Sequence, residues 1–368
     1  MPSSTKDIRF PVTGLYTVVE KENVSRSQWD DCVGRAPDGG HLLQSEEWGG
    51  LKKELGWEPV RLVLERDGAL VGLGQFLFYS TPLVPGGMLY SPKGPWLPWH
   101  DEEAVRAFFE GVVAAAGRRG AHTIKMEPEV RESQDQVKDL LWDIGFQRFR
   151  WNVNHKTTLV VDLSPSEEDL LANMKKDTRY GVRRAEREGV EVVEDNSPEA
   201  IEQFWRMHGA MVERKDFWSR PRSYYSRLWR ALEEAGRAQV FFAEHEGDRL
   251  AAAIVFTFGQ KALYMLGVST REKSKTMPAY LLQWEIMKWA KRNGIVHYDM
   301  WGIPTPDKLN KDHPLYGVYK FKAGFGSEIV DFVGTLDLPV KPARARLWNR
   351  MEPLYFRLHQ RLKGDVYY

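Results

Sequence analysis

Two β-hairpins of one design, set half a chain apart, constrain this sequence more than any other feature. Residues 59–78, PVRLVLERDGALVGLGQFLF, read as a strand, a charged turn at Asp67 and Gly68, and a second apolar strand. Residues 238–259, AQVFFAEHEGDRLAAAIVFTFG, repeat that pattern around Gly247, 179 residues after Gly68. Alternating apolar residues on both sides of a short glycine-bearing turn predict a hairpin. Each hairpin follows amphipathic helical sequence, EEWGGLKKELG in the first half and SPEAIEQFWRMHGAMVERKD in the second. Each leads into a further strand, a loop, a helix and another strand. In the first half these are GGMLYSPKGP, the helix DEEAVRAFFEGVVAAAGRRG and AHTIKMEPEV. In the second they are KALYMLGVS, TREKSKTM, a helix from Pro278 to Asn293 and GIVHYDMWGI. Pro278 suits a helix start and Gly294 the residue past its end. The repeat is too long for a solenoid, and 368 residues suit two domains. Two copies of one α/β domain are therefore expected, residues 1–155 and 156–338. The basic-aromatic helical stretch within 339–368 is expected to pack back on the first.

Composition narrows the chemistry. With 42 % hydrophobic residues there is apolar mass for two cores, and a net charge of +1 means that any polyanion must be held by a local patch. A lone cysteine, Cys32, excludes an internal disulfide framework and fits a reducing cytoplasm, and its place beside an apolar helix face suits packing. The stretch MPSSTKDIRFPVTG lacks the apolar core of a signal peptide, and no run approaches the roughly 18 apolar residues of a membrane span. A cytoplasmic protein with no transmembrane segment is expected. His122, His155 and His297 lack metal-ligand spacing, and no P-loop, dinucleotide fingerprint or zinc cluster is present. No metal and no cofactor is expected.

The order helix, hairpin, strand, helix, strand, helix resembles that of GNAT acyltransferases. The fold class is then α/β (α+β), with two tandem GNAT-like acyltransferase domains and no coiled-coil arm. In such folds the loop before the central helix carries a glycine-rich anion nest for the pyrophosphate of coenzyme A. Here STREKSKTMPAY has Arg271, Lys273 and Lys275 but no glycine between Gly267 and the helix. The first copy, YSPKGPWLPWHDEE, has Gly94 among prolines that remove backbone donors. Neither is a coenzyme A cradle, so a different acyl donor is expected.

Two further stretches carry charge in a pattern. In PLYGVYKFKAGFGSE, residues 314–328, Leu315, Val318, Phe321 and Phe325 recur at three- and four-residue steps. That spacing predicts a helix closed by Gly324 or Gly326. Lys320 and Lys322 then point about 200° apart, one to a cleft and the other to solvent. From Lys175 to Arg187 six basic residues stand against two acids, a local charge of +4. On a helix, Lys176, Arg179, Arg183 and Arg187 line one face. That face is either an anion-binding stripe or an ordinary solvated one, and Arg271, Lys273 and Lys275 form a second basic group.

These stretches carry a resemblance. HLLQSEEWGGLKKELGWEP, SPKGP and KMEPEV in the first half, with MKKDTRYGVRRAEREGVEV, MVERKDFWSRPRSYY, YDMWGI and LYGVYKFKAGFG in the second, resemble the Fem-type aminoacyl transferases (FemABX). The match covers most of the chain and is closest to members without a heptad-bearing arm. Such enzymes build peptidoglycan cross-bridges from aminoacyl-tRNA, with the precursor in a cleft between or beside the domains. The resemblance implies that Lys52, Arg220 and Tyr224 bind the precursor. A solvated surface position is the alternative for Lys52. Tyr264 also matches, although Leu266 stands where the family has a second aromatic. Lys322 matches the functional lysine, Glu127 an acidic position that would take the amine proton, and Asp299 is the second candidate base. Either carboxylate serves equally as a structural partner.

The implied reaction is attack of an amine on the ester joining an amino acid to tRNA. A fixed cation at the developing oxyanion is commonly worth about 10²–10³ in rate. Freeing a lysine-type amine of its proton at neutral pH costs roughly 4–5 kcal/mol. The implied partners are aminoacyl-tRNA, held on the basic stripe, and a lipid-linked or UDP-linked muropeptide, with peripheral contact at the inner membrane face. The stripe is equally able to hold the precursor pyrophosphate. Two other readings stay open: an acyl-CoA-dependent GNAT N-acyltransferase, and a non-catalytic RNA-binding or scaffold protein.

Overall fold

The computed structural model describes residues 7–10, 12, 14–22, 24–37, 39–215 and 219–368. Asp216, Phe217 and Trp218, within the quoted MVERKDFWSRPRSYY, and the first six residues lie outside the described residues. The chain divides into two compact units. The first comprises the chain up to Lys156 together with Asp331–Tyr368, and the second is Thr157–Val330. Residues 331–338, expected in the second half, thus belong to the first unit.

The first unit contains β1 (Ile8–Phe10), β2 (Tyr16–Glu20), α1 (Arg26–Gly34), α2 (Glu46–Glu54), β3 (Glu58–Arg66), β4 (Ala69–Ser80), β5 (Gly87–Pro92) and α3 (Glu102–Arg118). It continues with β6 (Ala121–Glu127), α4 (Asp135–Ile144) and β7 (Gln147–Arg148). The second unit contains β8 (Thr157–Asp162), α5 (Glu167–Asn173), α6 (Lys176–Arg187), β9 (Glu191–Glu194), α7 (Pro198–Lys215), α8 (Arg222–Glu233), β10 (Ala238–His245) and β11 (Asp248–Phe258). After these come β12 (Lys261–Ser269), α9 (Pro278–Arg292), β13 (His297–Gly302), α10 (Tyr316–Lys322) and β14 (Glu328–Asp331). The chain then returns to the first unit with β15 (Leu336–Pro339) and α11 (Pro342–Lys363).

Both hairpins form. Each turns through two residues of positive φ, Asp67 (51°) with Gly68 (79°) and Glu246 (50°) with Gly247 (82°). Paired left-handed residues make the turn whose twist matches the flanking strands. The first sheet has the order β1-β2-β3-β4-β5-β6-β15-β7 and the second β14-β8-β13-β12-β11-β10-β9. In each, one parallel pair is joined by a crossover helix, β5 to β6 through α3 and β12 to β13 through α9. Asp101 caps α3 by accepting from the Ala104 N–H, and Glu102 and Glu103 favour its positive end. Apolar faces of α3 and α9 supply much of the two cores.

The closing strands are exchanged along the chain. Strand β8 follows the first unit in sequence but pairs with β13. Strand β15 follows the second unit but pairs with β6 and β7. Helix α11 lies against β6 and β15, and there Lys125 of β6 donates to Glu352 of α11 at 2.8 Å, both fully buried. Glu352 also accepts from the hydroxyls of Tyr367 (2.5 Å) and Tyr368. No helix among the described residues is long and apolar enough to cross a membrane.

Candidate active site

The two units differ where their parallel strands run out. In the first, β5 and β6 stay paired to Pro92 and Glu127. In the second, β12 and β13 pair only over Lys261–Leu263 and His297–Asp299. Beyond that point Met265 is an extra residue in β12, between the pairings Val255 with Tyr264 and Ile254 with Leu266. An added residue bends its strand. Strand β13 meanwhile stays with β8, ending on Gly302 opposite Thr158.

At this opening β13 takes an unusual backbone. Trp301 has φ 64°, a conformation that costs a bulky residue about 1–3 kcal/mol. Asp299 holds it there, because its Oδ1 accepts the Trp301 N–H at 2.7 Å and the hydroxyl of Thr158. The bend turns the carbonyls of Trp301 and Gly302 toward one point. Lys322 Nζ donates to both, at 3.2 and 3.1 Å. Its ammonium lies 5.9 Å from the ring centroid of Tyr264.

The helix bearing Lys322 follows from its spacing. Phe321 and Phe325 pack edge-on and stacked against Tyr280 of α9, at 5.1 and 6.1 Å. Gly326, at φ 78°, stops the helical course. Lys320 is exposed and Lys322 is 7 % exposed. Burial brings the Lys322 ammonium down to about 8, with the Asp299 charge opposing the shift. Tyr264 beside it is pushed up to about 12 by burial. Its hydroxyl occupies space left by Gly267, where a Cβ would lie 1.8 Å away.

The basic helix α6 begins next to this element. Lys175 N–H donates to Gly324 O at 2.8 Å, two residues past Lys322. Lys176, Arg183 and Arg187 are exposed. Arg179 departs from the expected stripe: its guanidinium caps the end of α5, donating to Ala172 O at 2.6 Å and to Met174 O. Free C-terminal carbonyls of a helix bind a cation well. In the loop before α9, Lys273 pairs with Glu246 (2.7 Å) and Asp248 (3.0 Å). The Thr276 and Met277 N–H groups are used inside the turn, and Pro278 has none.

Arg220 and Tyr224 form a stacked pair at the start of α8, with the guanidinium 4.2 Å from the ring centroid. In the first unit Lys52 is buried on α2, its ammonium 5.0 Å from the Trp48 ring, which corrects the alternative of a solvated surface lysine. Glu127 is buried too and accepts five hydrogen bonds. Its Oε2 takes Tyr90 Oη and Asn154 Nδ2, both at 2.6 Å. Its Oε1 takes Val153 N (3.0 Å), Asn154 N (2.9 Å) and Thr335 Oγ1 (2.6 Å). Five donors thus converge on its two oxygens. This geometry is that of an anchor tying the end of the first unit's leading segment to the residue before β15. A Glu127→Gln change turns an amide N–H toward donors whichever way it is placed. It is expected to lower stability by about 1–3 kcal/mol, read from the urea midpoint. A cleft of about 990 Å³ also opens in the first unit, lined by Trp96, Trp99, His41 and His100, with no sequence-expected site residue among its walls.

Sequence reasoning did not find Trp301, Gly302 or Thr158. Two act through backbone groups, which leave no trace in residue type. Only a tryptophan forced to positive φ shows them.

A model of the FemAB family matches residues 24–244 and 231–352. The chain belongs to the FemAB family. The lipid II:glycine glycyltransferase of Staphylococcus epidermidis RP62A is 23 % identical, over 94 % of this chain and all of that protein. The lipid II:glycine glycyltransferase of Staphylococcus aureus MRSA252 is 24 % identical, over 91 % of this chain and 96 % of that one. Among solved structures, FemX superposes with a TM-score of 0.82 at 22 % identity, covering 89 % of this chain and 99 % of FemX. A tandem GNAT protein from the clavulanic acid pathway superposes at 0.51 with 14 % identity, covering 88 % and 98 %. This FemAB protein is accordingly an aminoacyltransferase built from two tandem GNAT-like domains.

Proposed function

We propose that this FemAB protein moves an amino acid from aminoacyl-tRNA to the stem-peptide amine of a peptidoglycan precursor. One observation carries the reading: a buried lysine ammonium, Lys322, held by two carbonyls where β12 and β13 part. Two of its protons are used on those carbonyls, and the third has no acceptor among the described residues. When the amine adds to the ester carbonyl, negative charge grows on that oxygen and then on the departing ribose 3′ oxygen. A fixed, desolvated cation stabilises both. Asp299 positions the carbonyls rather than taking a proton, and Glu127 anchors the first unit. Proximity of two bound substrates is then the main source of acceleration. Lys52, Arg220, Tyr224 and Tyr264 are assigned to the precursor, whose diphosphate and carboxylates suit cations backed by aromatic rings. The names of the staphylococcal relatives favour a lipid-linked acceptor.

The test is direct. The protein is incubated with a mixture of charged tRNAs and either lipid-linked or UDP-linked muropeptide, and products are weighed. A gain of one or more aminoacyl residues is expected, and no gain with any charged tRNA would overturn the reading. For the donor, Lys176, Arg183 and Arg187 are the assigned phosphate contacts. Arg183→Ala with Arg187→Ala is expected to weaken tRNA binding and to flatten its log–log salt dependence by roughly one per lost contact. An unchanged salt slope would move the donor elsewhere. Acyl-CoA is disfavoured as donor because the 270–278 loop has no glycine, spends the Thr276 and Met277 amides within its own turn and ends on Pro278, which has none.

A further inference from the structure

The last helix presents a face that the transfer reaction does not use. In α11 Leu347, Leu354, Leu358 and Leu362 are 48, 65, 49 and 72 % exposed. At 100° per residue these four leucines fall within an arc of about 80°. Arg346, Arg350, Arg357 and Arg361 fall within an adjoining arc of about 60°, and all four are exposed. The opposite side, with Ala345, Trp348 and Glu352, is buried on the first unit. Counting Arg344 and Lys363, the helix shows six cations to solvent. Its single acid, Glu352, is occupied by Lys125. The whole chain carries only +1, so this concentration of charge is local. The patch extends beyond the helix. Arg344 reaches Pro85 O at 3.5 Å, in the loop where Leu83 is also exposed.

We propose that α11 is a membrane-docking helix that lies flat on an anionic lipid surface, its leucines among the acyl chains and its arginines at the phosphates. A leucine stripe flanked by arginines is the pattern of interfacial helices. Spanning about 33 Å, the helix offers one continuous contact line. Charge decides the occupant. A second copy of this chain would bring six like charges against six across a two-fold interface. A nucleic acid would match the arginines and leave the leucines without a partner. Only an anionic bilayer uses both rows. The inference stands on this face alone, whichever acceptor the transferase uses.

Full-length protein is sedimented with vesicles of phosphatidylcholine and phosphatidylglycerol, and with phosphatidylcholine alone. Binding to the mixed vesicles at low salt is expected, with little to the neutral ones. Each arginine at an anionic surface strengthens partitioning roughly fivefold. Arg350→Glu/Arg357→Glu/Arg361→Glu should therefore weaken it at least about a hundredfold. Leu354→Ser/Leu358→Ser/Leu362→Ser should weaken it at least about tenfold with unchanged melting. Leu362→Ser alone keeps the test open if the triple variant misfolds. Absence of vesicle binding, equal binding to neutral vesicles, or indifference to either set of changes overturns the proposal. So does a wild-type dimer that the serine variant dissolves, or arginine-dependent, leucine-independent binding of single-stranded RNA in place of vesicles.

Discussion

Lys322→Met protein is expected to fold as the wild type does and to transfer at least about 10²-fold more slowly. Methionine fills much the same volume, so the packing of Phe321 and Phe325 on Tyr280 survives. Removing a buried cation also removes its desolvation cost, so melting should hold or rise. What is lost is charge at the carbonyl. The pH profile separates that role from a structural one. Burial sets the Lys322 ammonium near 8, so the cation is present below that pH and fades above it. The acceptor amine behaves oppositely, since more of it is neutral as pH rises. Wild-type transfer should therefore follow a bell with its alkaline limb near pH 8, and the residual rate of Lys322→Met should lack that limb. A variant with wild-type rate, or one that keeps the alkaline limb, removes Lys322 from the chemistry.

Glu352→Ala should destabilise the first unit by about 3–5 kcal/mol, because it leaves a buried Lys125 ammonium without its counter-charge. Lys125 and Glu352 are fully buried, and the Lys125 ammonium also sits 3.2 Å from the Phe149 ring centroid. The hydroxyls of Tyr367 and Tyr368 lose their acceptor in the same step. Replacing both members of the pair, with Lys125→Met and Glu352→Leu, should recover part of the loss, since no isolated charge remains. Urea unfolding followed by circular dichroism reads both. A single variant within about 1 kcal/mol of wild type would mean the pair contributes little to holding β6 to α11.

Much of the architecture was legible because its causes are local. A turn such as Asp67 with Gly68 tolerates positive φ and so marks a hairpin wherever it stands. The three- and four-residue spacing of Leu315, Val318, Phe321 and Phe325 placed Lys320 and Lys322 on different sides of a helix, and the family resemblance pointed to Lys322 as the functional one, which is the buried one. Other residues were not legible. Arg179 keeps its place on a basic face in sequence, yet its guanidinium is taken by carbonyls of the preceding helix. Lys52 reads as a surface residue of an amphipathic helix and is buried all the same. Glu127 sits in a recognisable stretch, KMEPEV, but the five donors around it come from residues 90, 153, 154 and 335, which the sequence does not bring together. Strand β15 is four residues long, and nothing in those residues says which sheet it joins.

By itself, the sequence determined the duplicated order of elements, the turns, the helix that carries Lys322 and the concentration of cations on α6 and α11. Periodicity and turn chemistry act over a few residues, so they survive without knowledge of the rest of the chain. Tertiary structure alone decided that β8 and β15 are exchanged between the sheets and that Lys125 meets Glu352. It alone decided that the carbonyls of Trp301 and Gly302 converge on one ammonium. Each of these depends on groups distant in sequence competing for hydrogen bonds and for exclusion from water, and that competition is settled only when the whole chain is in place.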